Sequence, residues 1–191
     1  MNILIWLNGA TNGPFQRQLP DGRIFSDLMN SKPVFSFPFV SIRYIEQANE
    51  FTVDGQPMTA EQKAEVLATI NAVEPPLGWY KAMKNGQIAG AYQGVVQAIA
   101  GQVEPVEMAS WPKQEQQARA YLADQNAPTP LLDGLLVGRN LGETKAELAQ
   151  KIVANADGYQ VAYSTVLGKY QSLMKQLEAA TTPAQVDALR W

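Results

Sequence analysis

The 191-residue sequence contains no cysteine and no histidine. Their joint absence excludes disulfides, thiol nucleophiles, thiolate or imidazole metal sites, Ser-His-Asp triads and histidine proton switches. Charged residues are scarce, at 17%, and the net charge is only -3. Lys and Arg do not cluster in either half, so the electrostatic footprint of a nucleic-acid binder is missing and nucleic acid is not an expected partner. No run reaches 18 apolar residues, so no membrane span is expected. Gly-rich loops of the phosphate- or dinucleotide-cradling kind are lacking too, and no cofactor is expected.

What the chain does have is apolar bulk. Apolar residues make up 46% of it, and a chain of this length buries about 70% of its extended surface. The opening run Met1 to Leu7 lacks a preceding cation and meets Asn8-Gly9 at once, so it reads as a strand over Ile3 to Leu7 and not as a signal segment. Turn signals follow at Asn12-Gly13-Pro14 and Pro20-Asp21-Gly22. Val34 to Ile45 alternates, with Pro38 confining it to a strand start or a sheet edge. Phe51 to Gly55 reads as a further strand ending in a turn. Thr59 and Gln62 form a capping box ahead of a helix whose stripe is Val66, Leu67, Ile70 and Val73, stopped by Pro75-Pro76. Asn85-Gly86 is a strong hairpin signal, although weak strand formers around it leave a helix over Gly90 to Ile99 open.

The second part is helical. Ser110 is the expected cap of a helix reaching about Asp124, and Thr129-Pro130 starts another. Thr144 and Glu147 form a second capping box, after which no proline interrupts residues 145–179, a rod of about 52 Å. Its apolar positions Ile152, Ala156, Tyr159, Tyr163, Val166, Tyr170, Leu173 and Leu177 step alternately by four and three, a heptad seam. The expected fold class is therefore α+β: a mixed domain over 1–104, with a β-rich start, one helix and a hairpin, then a helical domain over 105–191 with a long helix at about 145–179.

Two readings of the seam stay open. It packs on the chain's own short helices, or, being longer than those helices can cover, it grips another chain, and three tyrosines suit such a half-wet contact. Ile152, Tyr159, Tyr163, Val166, Tyr170, Leu173 and Leu177 are the candidate partner-binding residues on this helix. Phe35, Phe37 and Phe39 are a second candidate, since alternation places three rings on one side of an extended segment, as core or as an adhesive edge. Carboxylate pairs such as Glu46 with Glu50, or Asp54 with Glu61, are the only material for hydrolytic or hard-cation chemistry, and no motif assembles them. No catalytic residue and no metal site are expected.

Several segments carry a family likeness. They are Thr11-Asn12-Gly13-x-Phe15, the stretch Phe51 to Thr59, Pro75-Pro76-x-Gly78-Trp79-Tyr80, Trp111 to Glu115 with Ala118, Thr129-Pro130, Arg139, and the closing Thr181 to Trp191. In this order they resemble the tail fibre assembly proteins of tailed bacteriophages, most strongly from residue 105 onward and thinly before residue 50. The resemblance implies a non-enzymatic chaperone, working in the host cytoplasm, that holds a tail fibre or receptor-binding protein and promotes its folding or trimerisation. Helical ends of this style also occur on phage tail and baseplate proteins, which implies a retained virion subunit as the alternative. Self-association as a homo-oligomer stays open.

Overall fold

Period-two patterning builds the first part of the chain. In the computed structural model, which describes residues 1–101 and 103–191, β1 (Ile3–Leu7), β2 (Gly13–Gln18), β3 (Ile24–Met29), β4 (Ser41–Ile45), β5 (Glu50–Val53) and β6 (Gln56–Pro57) form one antiparallel sheet in the order β3-β2-β1-β4-β5-β6. Register sets Leu4 opposite both Phe15 and Tyr44, and Trp6 opposite Ile42, so these side chains share one face. All five are buried, each stabilising the fold by roughly 1.5–3 kcal/mol. Val66 and Ile70 of α1 (Ala60–Ala72) are fully buried as well.

α1 starts where the sequence predicts. Thr59 accepts from the Gln62 amide and Gln62 reaches back, a complete capping box. Its far end is held by Arg17, a buried cation on β2 that donates to the Val73 carbonyl and pairs with Glu74 at 3.0 Å. An arginine aimed at a helix's last carbonyls satisfies groups the helix cannot and opposes its negative end.

Two compact units result, residues 1–76 and 77–191. The dividing point lies earlier than the expected 104/105, because residues 77–100 pack with the helices that follow. α2 (Leu77–Ala100) is one unbroken helix of 24 residues, and Asn85-Gly86 lies inside it, so the hairpin expected there does not exist. The correction has a physical cause. Tyr80, Ile88, Tyr92, Val95 and Ile99 recur at helical spacing, and packing one such face outweighs the cost of about 1 kcal/mol for each interior glycine.

The second unit continues with α3 (Pro105–Met108), α4 (Trp111–Ala123), α5 (Pro130–Arg139), α6 (Lys145–Ala179) and α7 (Pro183–Ala188). α6 has the 35 residues and the Thr144/Glu147 box that the sequence predicts, and it runs unbroken past Gly158 and Gly168. Ala118, Leu132 and Ala149 form a dry centre where α4, α5 and α6 meet, with Tyr121, Ile152 and Val153 packed around it.

Two expected caps work differently. Ser110 donates its hydroxyl back to Glu107, and Thr129 makes no side-chain cap. The buried Gln117 of α4 instead accepts the Leu131 and Leu132 amides at 2.9 and 3.3 Å, satisfying the first turn of α5 from outside. Among the described residues, no helix is long and apolar enough to cross a membrane.

Candidate protein-binding surfaces

The heptad seam comes first, because its exposure decides its use. None of its eight positions is exposed: Leu173 and Leu177 are buried and Ile152, Ala156, Tyr159, Tyr163, Val166 and Tyr170 are half-buried. The cover comes from within the unit. α4 packs along the first half of α6 and α2, antiparallel, along the second. This corrects the reading in which the seam is too long for its own chain, since that reading counted α4 and α5 and left out the 24 residues of α2.

The tyrosines form a ladder between these helices. Trp111 meets Tyr159 edge-on at 5.6 Å, Tyr159 stacks on Tyr163 at 5.8 Å, the Tyr163 and Tyr92 hydroxyls lie 3.2 Å apart, and Tyr92 stacks on Tyr170 at 4.5 Å. Trp191 closes it edge-on against Tyr92. The hydrogen bond with Tyr163, and burial after it, hold the Tyr92 phenol above its ordinary pKa. The Tyr163 hydroxyl thus finds its partner within its own chain, while Tyr159 and Tyr170 are held there by ring stacking.

Phe35, Phe37 and Phe39 do not lie on a strand. They occupy the loop before β4, and their rings pack on one another, Phe35 stacking on Phe37 at 5.3 Å with Phe39 edge-on to both. All three are half-buried, so the adhesive edge is not formed; the exposed apolar side chains of this loop are Val34, at 86%, and Val40, at 69%. The loop is tied at two points. Glu65 of α1 accepts the Ser36 amide and hydroxyl at 2.6 Å each. Asp54 accepts the Val40 and Ser41 amides at 2.8 and 2.6 Å from a hairpin turn with positive φ at both Asp54 and Gly55, the type I′ geometry.

Those amides, Ser41 first, hold the Asp54 carboxyl below its ordinary value of 3.8. A group whose folded pKa is depressed contributes stability above its unfolded pKa and loses it as pH falls through the folded one. The loop anchor is therefore complete at neutral pH and weakens below about pH 4. Asp54→Ala is expected to make chymotrypsin cut at Phe35 and Phe39 faster at neutral pH, with Asp54→Asn in between, because Asn keeps one acceptor and tolerates positive φ. Equal cleavage rates in all three proteins would show that the anchor does not hold the loop.

The remaining carboxylates of interest are also engaged. Glu46 accepts the Asn2 amide at 2.9 Å, and Glu50 pairs with Arg43. Among the described residues, no three potential ligand side chains group as a metal site would require.

The second unit carries an open surface groove. Between α2 and the last turns of α6 runs a groove of about 640 Å³, with Tyr170, Met174 and Leu177 on its floor, Ala82 and Asn85 on the α2 wall, and Lys81 and Lys175 on its rims. Two predicted seam residues, the half-buried Tyr170 and the buried Leu177, line this groove, whereas Ile152, Tyr159, Tyr163, Val166 and Leu173 do not. α2 as a wall was missed in the sequence because Asn-Gly suggested a turn; its small exposed residues at fourfold spacing, Gly78, Ala82, Gly86, Gly90 and Gly94, were the available signal.

Comparison with protein-family models, with curated proteins and with solved structures finds no match. The segments behind the phage likeness occupy positions of evident structural use. Gly13 and Phe15 sit on β2, Phe51 to Thr59 forms the I′ hairpin and the α1 cap, Trp111 opens α4, Thr129 precedes α5, and Thr182 caps α7 with a third capping box.

Proposed function

We propose that this chain is a phage tail fibre assembly chaperone, which binds the fibre or receptor-binding protein by protein–protein contacts and promotes its folding or trimerisation in the host cytoplasm. The observation that carries the reading is the open α2–α6 groove, whose Tyr, Met and Leu floor offers apolar contact beside charged rims, a surface suited to holding a polypeptide. The order of sequence segments supports the choice of client, and the lack of cysteine and histidine turns attention to binding over catalysis.

Co-expression with the neighbouring fibre gene tests it. Fibre made with this chain should yield more detergent-resistant trimer than fibre made alone. A fibre that trimerises equally well without it ends the proposal, and stoichiometric recovery of the chain in purified virions would identify a structural subunit of the tail instead.

A further inference from the structure

We infer that the α2–α6 groove receives a single amphipathic helix whose flanks are acidic, supplied by the client. The inference rests on the reading that this chain binds another polypeptide, and it specifies the chemistry of the bound segment.

Shape comes first. Helices α2 and α6 are antiparallel neighbours, with α7 also packed on α2. α4 and α5 cover the start of α6, and the groove between Lys81–Asn85 and Tyr170–Glu178 is lined by residues of α2 and α6 alone, with no third helix laid in it. Nine residues of α6 span about 12 Å there, room for about two turns. Ala82, a small side chain, keeps the α2 wall low, so a helix axis can come close.

Backbone chemistry favours a helix over a strand. Both walls are helices whose interior amides and carbonyls are already bonded within each element. An extended segment laid between them would desolvate its own backbone groups without partners, whereas a helix brings its backbone bonds with it. Met174 on the floor can adjust to different apolar side chains.

Charge sets the sign. Lys81 and Lys175 rim the groove and Glu178 lines it beside them, so the charged side chains of the lining sum to +1. Lys81 is oriented by donating to the carbonyl of Glu178 at 2.7 Å, which holds its ammonium group beside the end of α6. A bound helix with glutamates on both flanks places them within a Debye length of these lysines.

The test uses two fluorescein-labelled peptides with the same leucine stripe at i, i+4 and i+7, one flanked by glutamate and its twin by lysine. They are titrated into the full chain at low and high salt by anisotropy. The acidic peptide is expected to saturate, to bind about tenfold tighter than its twin, and to weaken with salt. Lys81→Glu with Lys175→Glu should reverse the preference, and Ala82→Trp should abolish binding by filling the wall, both at unchanged helical circular dichroism. Equal binding of the two peptides, unchanged affinity in the charge-reversed protein, or a dimer of this chain that occupies the groove would overturn the inference. The chaperone reading is judged separately: if trimer yield still depends on the chain while the charge-reversed protein works fully, the groove assignment falls and the reading stands.

Discussion

Gly13→Ala is expected to cost unit 1 about 3 kcal/mol or more. A Cβ at this position would overlap the backbone carbonyl oxygen of Ile5 and lie 2.9 Å from Trp6 Cε3. Both obstacles belong to β1, the strand between β2 and β4, and neither is the loose end of a flexible side chain. Relief requires β1 to shift, and β1 carries Leu4 and Trp6, two of the most buried side chains of the sheet. A 76-residue unit has a total stability of roughly 4–11 kcal/mol, so the substitution removes a large share of it. Hydrogen exchange of peptides from residues 1–29 measures the effect, with loss of protection in β1 and β2 expected. Wild-type protection there would mean that the close approach of β1 and β2 is not needed.

Tyr163→Glu is the second large effect, expected to destabilise the helical unit by about 2–3 kcal/mol. The substitution removes a ring stacked on Tyr159 and a hydroxyl bonded to Tyr92, and sets a carboxylate among three phenols. Were the seam an open interface, glutamate there would impair association and leave the fold intact. Because α2 covers this stretch, the fold itself should loosen, seen as a lower melting temperature and faster exchange in α2 and α6. Tyr163→Phe, which keeps the ring, should lose only about 1 kcal/mol. A glutamate variant as stable as wild type would return the seam to the role of an interface.

These cases mark how far the sequence could be read. Capping boxes at Thr59 and Thr144 specified where α1 and α6 begin, since cap and first-turn residues act on amides a few positions away. The strand Ile3 to Leu7 was legible because a short apolar run ended in a turn. The Phe35 to Phe39 segment was misread as a strand: its rings satisfy one another locally, and Asp54 and Glu65, distant in sequence, hold its backbone in a loop. The candidate site was half legible. Tyr170 and Leu177 follow from the heptad spacing, but Lys81, Ala82 and Met174 join them only because α2 lies antiparallel beside α6.

Local chemistry alone therefore determined the capping boxes at Thr59 and Thr144, the I′ turn at Asp54-Gly55, the α+β class and the exclusion of thiol and imidazole chemistry. Tertiary packing decided whether residues 77–100 form a hairpin or a helix, and with that choice which side of α6 is sheltered and which side of α2 becomes a wall. The reason is energetic: glycines and an Asn-Gly pair disfavour this helix by several kcal/mol in isolation, and only the apolar surface it shares with α6 offsets that cost.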